Sequence, residues 1–468
     1  MSVNESLEYF PLFDPDTSSD TPAVSAAVGN RVAVLGTPDA LGGAGAVVLY
    51  TYSAAENAWG YVGVLTGSSI DGSQQVRGLG SSCAVVGDKV LVGAHGDATT
   101  PGRVYVLSPP YGSWSYTVVP VVSELARPEP TKGDRFGASI DCCTDGTNEY
   151  VVVGAPEAAA PPGTSGTGQV FVFRGLESKD PWITKPLTNP NAEGTATDRF
   201  GASIAVGVSK GGLAESGGVL SVAVGAPGAF EGQGAVFVGR TALDDPDGSK
   251  FEFDSPLVPS FPDASDEFRT TDFGSSVAID RDVLAVGSPG DPNFSLQVEG
   301  TGAVWIYKFA NGSFVTDGGA ALEGETADGK FGSSLRFARS DGPDSPTGAR
   351  HLIVGAPGGR RSFTFAGEGD DPTFLQVAEL ETLGGKDGDR FGAAVSGFAG
   401  NAGVSFLCAA PGNPKGQIDG GGFLFSTADS APTWMRPPRL FPDSPLRWAG
   451  LPLDWWKKWT PQIGKYLG

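Results

Sequence analysis

Methionine and histidine are nearly absent from this sequence, two of each in 468 residues, and cysteine occurs only four times. Four thiols are too few to staple a disulfide scaffold, and Cys83, Cys142, Cys143 and Cys408 have no partner spacing that suits a metal. His95 and His351 lie far apart, which leaves no centre for a zinc hydrolase. No run approaches the ~20 apolar residues of a membrane-spanning helix. The opening MSVNESLEYFPLFDPD has neither a basic leader nor a long apolar core, so no signal peptide is expected and the chain reads as soluble. Basic residues are outnumbered, 32 against 53 acidic ones, and the net charge of −21 argues against a nucleic-acid partner. Helical periodicity is missing as well. Nothing resembles a nucleophile elbow, a phosphate-cradling glycine loop or a matched acid and base, so an enzyme is the minority expectation.

Glycine and proline are plentiful, at 70 and 36 residues, and one stretch shows how they are used. From Thr271 to Phe309 the chain reads TDFGSSVAIDRDVLAVGSPGDPNFSLQVEGTGAVWIYKF. Val277–Ile279 and Val283–Val286 are β-branched-rich runs of strand length, separated by the turn-like Asp280-Arg281-Asp282. A third run spans Ala303–Tyr307. These runs are apolar on both faces, as a sheet packed between two other sheets requires. Gly287 allows another backbone to come close, and Pro289, without an N–H donor, ends the ladder.

The same pattern recurs. Phe-Gly pairs stand at Phe136, Phe200, Phe273, Phe331 and Phe391, with a weaker Leu79-Gly80. Each is followed by a stop: Gly93-Ala94-His95, Gly154-Ala155-Pro156, Gly225-Ala226-Pro227, Gly287-Ser288-Pro289, Gly355-Ala356-Pro357 and Ala409-Ala410-Pro411. An earlier copy keeps only the second half, Val32 to Pro38. Starting from residue 79, the steps between pairs are 57, 64, 73, 58 and 60 residues. Seven copies of three or four short strands at this period match the blades of a propeller, a ring without exposed sheet edges. The expected fold is therefore an all-β, seven-bladed β-propeller of four-stranded antiparallel blades over residues 22–441.

The pairing of Phe-Gly with Gly-Ala-Pro resembles the FG-GAP repeat, the blade of the integrin α-subunit head. The resemblance implies a seven-bladed propeller that binds a partner, in some members with calcium, often in an extracellular or surface setting. It implies no reaction.

In such a ring the loops between blades and those after Gly-Ala-Pro share one face. That face carries Asp134-Arg135, Asp198-Arg199, Asp272 and Asp389-Arg390, each just before its Phe-Gly. A charged ring around a ligand is one reading; local capping of the turn by Asp is the favoured one. Blade six departs from its siblings with Arg360 and Arg361, and blade seven has Lys415 in the equivalent loop, a group suited to an acidic or phosphate-bearing partner. On the opposite face the calcium motif implied by the resemblance is approached only in blade three, where Asp141, Asp145 and Glu149 would be the ligands and Cys143 stands in an oxygen position.

Two segments flank the ring. Residues 1–21 contain Glu8–Phe13, a candidate ring-closing strand in competition with Thr433–Phe441. Residues 442–468 form a basic, Trp-rich extension. From Arg436 onward, six basic residues face Asp443 and Asp454, a net +4, alongside Trp448, Trp455, Trp456 and Trp459. This tail suits a protein partner, a peripheral membrane contact or packing on its own ring. The functional expectation is a non-catalytic protein-interaction or scaffolding module; the alternative is a glycan-binding or glycan-lyase propeller, with or without calcium.

Overall fold

The structure is a computed structural model that describes residues 25–427 except for loop stretches, the longest being 210–217, 260–269, 340–348 and 412–420. Each Phe-Gly is a tight turn. The residue before Phe accepts a hydrogen bond from the N–H three positions on, as in Ala138 N–H to Arg135 O at 3.0 Å and Ala202 N–H to Arg199 O at 2.9 Å. The glycine has φ between 86° and 91° in all six pairs, the left-handed third position of a type II turn, which explains why only Gly appears there. The turn drives the Phe ring inward, and Phe136, Phe200, Phe273 and Phe391 are fully buried.

Seven antiparallel sheets follow one another around a ring, each beginning with its innermost strand. Those inner strands are Ser25–Val28, Leu79–Val86, Ser139–Thr144, Ser203–Ser209, Ser276–Asp280, Ser334–Phe337 and Ala394–Gly400. Blade four shows the full plan, with Ser203–Ser209, Val219–Ala226, Ala235–Ala242 and Glu252–Phe253 in that order outward. The first copy, which shows only its second half as a motif, has its inner strand nonetheless. Six blades have four strands, and blade seven has three among the described residues, Ala394–Gly400, Gly403–Ala410 and Gly421–Thr427. Both candidate closing segments, 8–13 and 433–441, lie outside the described residues.

The core is divided among the interfaces between blades. Tyr150, Val152 and Val172 of blade three pack with Phe200, Val206 and Val222 of blade four, and each of the other six seams has a cluster of its own. Backbone contact reinforces this packing. The glycine of Gly-Ala-Pro lies against the Phe-Gly carbonyl of the following blade: a Cβ on Gly93, Gly154, Gly225, Gly287 or Gly355 would sit 2.0–2.2 Å from that oxygen. The serine that opens the inner strand donates to the same oxygen, from Ser25, Ser82, Ser139, Ser203, Ser276 and Ser334, at 2.6–2.8 Å. The repeat motif is thus a blade-to-blade joint.

The joint between blades seven and one is different, and the sequence shows it. Blade one has no Phe-Gly, and blade seven correspondingly has Ala394 for the serine and Ala409 for the glycine. Here Val28 N–H donates to Ser396 Oγ at 3.1 Å, and Val28, Leu35 and Val48 pack with Phe398, Leu407 and Leu424. With no Phe-Gly carbonyl facing it among the described residues, Ala409→Gly should lower stability by roughly 0.5–1 kcal/mol through backbone entropy alone. Urea unfolding checks this; a gain in stability would mean that a backbone approaches there too.

Candidate functional site

The seven inner strands surround a central channel, and at the end bearing the first hairpin turns it holds a cavity of about 80 Å³. Small and apolar residues such as Val85, Gly207 and Ile279 form most of its wall, but arginines intrude. Arg336, on the inner strand of blade six, and Arg339, just beyond it, reach across the channel to Asp141 of blade three. Arg339 Nη2 donates to both Asp141 oxygens at 2.8 and 3.1 Å, and its Nη1 donates to the Val206 carbonyl of blade four. Asp141, 1% exposed, also accepts the Cys142 and Val206 N–H groups at 2.8 Å each. Beside them Arg281 pairs with Asp280, and the buried Arg350 pairs with Asp280 and Asp282. Burial pulls the Arg339 guanidinium pKa down, but Asp141 and its neighbours outweigh that and leave it raised.

This arrangement does not fit calcium at blade three. Asp141 is committed to two guanidinium groups in the channel. Asp145 closes its own turn, accepting from Thr147 N–H and Asn148 N–H at 2.7 Å and from Tyr150 Oη at 3.0 Å. Burial alone would raise the Asp145 carboxyl pKa, yet the Asn148 and Thr147 bonds hold it below the usual carboxylate range. Glu149 faces Lys89 at 3.8 Å. Among the described residues no three metal-ligating side chains converge.

The other face is built from the blade-connecting loops. Hydrogen bonds such as Glu157 N–H to Asp134 O and Gly358 N–H to Gly329 O bind each post-glycine loop to the loop before Phe-Gly, so the two share a face as expected. The acids there act locally. Asp134, 2% exposed, accepts from Phe136 N–H and pairs with Arg127, whose guanidinium lies over the Phe136 and Phe171 rings. Asp198 accepts from Thr195 and Asn189. Asp389 lies outside the described residues. The residue next to Phe is the outward one. Arg135, Arg199, Asp272, Lys330 and Arg390 all have left-handed φ of 54–57°, and Arg199, Lys330 and Arg390 are exposed.

The predicted cationic pair in blade six is divided. Arg361 belongs to the third strand and pairs with Glu379 at 2.6 Å, while Arg360 sits in the loop with φ of 57°. Lys415, Trp448, Trp455, Trp456 and Trp459 lie outside the described residues. Trp114 precedes the outer strand of blade two (Val121–Glu124), is buried, and donates to the Asp88 carbonyl at 2.8 Å. All four cysteines are free thiols, and burial pushes Cys83 and Cys408 up to about 12, which makes them inert.

Asp291, on the loop face of blade five, is 2% exposed; burial pushes its carboxyl up to about 6 in spite of the Trp305 Nε1–H bond at 2.8 Å. Its folded pKa lies above the unfolded one, so the native state binds more protons between about pH 4 and 6, and stability falls as pH rises through that window. Asp291→Asn, which keeps an acceptor for Trp305, should flatten this slope and stabilise the protein at pH 7.5 by on the order of 2 kcal/mol. Urea midpoints at pH 4.5 and 7.5 check it; equal effects at both would refute it.

The match to a known repeat family agrees with the motif read from the sequence. The FG-GAP repeat family matches residues 263–307, which cover most of blade five. No curated protein matches the chain in sequence. Among solved structures, the "Crystal structure of polysaccharide lyase Uly1" is similar at 10% identity and a TM-score of 0.46, over 88% of this chain and 91% of that one. No helix among the described residues is long and apolar enough to cross a membrane. The family match falls on one of seven blades, six of whose joints repeat the same glycine contact, and the chain is accordingly a seven-bladed β-propeller with an FG-GAP repeat at residues 263–307.

Proposed function

We propose that this propeller is a non-catalytic binding module that holds a protein partner against its loop face, as a subunit of a larger assembly or surface structure. One observation carries the reading. Four blades put a cation, Arg135, Arg199, Lys330 or Arg390, at the residue before Phe, in a left-handed conformation. That conformation costs a non-glycine residue on the order of 1 kcal/mol. Among the described residues only Arg135 of the four has a carboxylate partner, Glu157 at 3.2 Å. On a body of net charge −21, such a rim steers and orients an acidic partner surface.

The test is affinity capture from the native source. The full chain is compared with the triple variant Arg199→Glu, Lys330→Glu and Arg390→Glu, and with a chain ending at Leu446. Specific partners should vanish with charge reversal while the variant melts like the parent. Partners kept by the triple variant but lost on truncation would place the contact in the tail and overturn the loop-face reading.

A second reading, an acidic-glycan-binding or glycan-lyase propeller, draws on the same repetition, because a regular array of cations suits a repeating polyanion. Aromatic platforms would favour it, but Trp59, Trp114, Trp182 and Trp305 are all committed to their own fold. A glycan array blank for acidic sugars, with and without calcium, would remove it.

A further inference from the structure

We propose that the central channel is a binding site for a small oxyanion, held by Arg281 and Arg336 at the cavity between the hairpin turns. The argument begins with charge. Among the described residues, three arginines at the cavity, Arg281, Arg336 and Arg339, meet two carboxylates, Asp141 and Asp280. Polar groups and small apolar side chains such as Val85 and Ile279 share the wall about equally, and a partly buried cation there is costly unless an anion answers it.

The donors are divided between structure and vacancy of use. Arg339 is consumed, since its two terminal nitrogens bond Asp141, Val206 O and Cys142 O. Arg336 bonds Asp141 through Nη2 only, so its Nε and Nη1 face no protein acceptor among the described residues. Arg281 touches Asp280 through Nη2 at 3.3 Å, and its buried Nε has no partner among the described residues. Its backbone is left-handed, with φ of 56°, in a two-residue turn where glycine would be unstrained, as Gly87 is in blade two. Ser396 on the wall accepts from Val28 N–H, which leaves its own proton to donate. Two guanidinium forks and a hydroxyl around about 80 Å³ match a phosphate, sulfate or small carboxylate, which Arg holds in bidentate fashion.

The occupant assigned here is a small free ion, matched to a cavity of about 80 Å³. The test uses the full chain with inorganic phosphate, sulfate and acetate at constant ionic strength. Equilibrium dialysis with labelled phosphate should give saturable binding at one site per chain, and the melting temperature should rise with the same dependence, by at least about 2 °C near saturation. Arg281→Gln and Arg336→Gln should each weaken binding at least tenfold. Arg281→Gln touches only the turn, so it stays informative if Arg336→Gln fails to fold. Non-specific stabilisation by excluded salts would act equally on parent and variants. No saturable binding of any of the three ions at 10 mM, or binding unchanged in Arg281→Gln, would overturn the proposal.

Discussion

Asp141→Asn is expected to destabilise the protein by about 3 kcal/mol or more, far beyond a typical single substitution. The carboxylate is 1% exposed and faces Arg336 and Arg339, which are 20% and 19% exposed, so both guanidinium groups lose their counter-charge inside the channel. Removing one partner of such a group leaves the others buried and unpaired, which costs more than the group as a whole contributes. The amide can still accept from the Cys142 or Val206 N–H, so the loss reports mainly on the charges. A double substitution with Arg339→Met should recover part of it, because it removes a charge that no longer has a partner. Urea unfolding of the three variants tests this. A single substitution costing under 1 kcal/mol would mean that water in the channel screens the arginines.

Gly225→Ala is the second large effect, also expected at about 3 kcal/mol or more, through the joint between blades four and five. A methyl there would stand 2.1 Å from the Gly274 carbonyl oxygen and 2.2 Å from Ser203 Oγ. Neither neighbour can withdraw cheaply. The carbonyl is backbone, and Ser203 Oγ is held to it by a 2.6 Å hydrogen bond, so the blades must separate. Gly63→Ala is the control: nothing lies within 4 Å of its position, and the change should be neutral or slightly stabilising. Equal effects at the two sites would show that glycine serves as backbone freedom in this ring and not as contact.

These two residues also mark how far the sequence could be read. Gly225 was legible because its constraint is local and repeated. Six blades use glycine where a neighbouring carbonyl comes close, and the seventh, at a joint lacking Phe-Gly, uses Ala409. The type II turn at each Phe-Gly, the Asp280-Arg281-Asp282 hairpin and the doubly buried strands are legible for the same reason, each being encoded within a few residues. Asp141 was misread because its partners are 195 and 198 positions away on the far side of the ring. Beside Asp145 and Gly146 it looks like part of an acidic loop, yet the strand continues to Thr144 and puts Asp141 in the channel instead. One signal was available: Arg336 and Asp141 occupy the same position of their inner strands, two residues after the opening serine, where blades two, four and five have Ala84, Ala205 and Ala278. Arg361 illustrates the same limit, since only the pairing of the outer strands, with Arg361 opposite Glu381 and bonded diagonally to Glu379, reveals that its charge is answered.

The loop-face account is tested most directly by hydrogen exchange on the partner complex captured with the full chain. Backbone amides around Arg199, Lys330 and Arg390 should gain protection on binding, while the hairpin turns at the opposite face, such as Asp280–Asp282, stay unchanged. Protection confined to residues beyond 441, or to the outer strands of the blades, would contradict the account and assign the contact elsewhere.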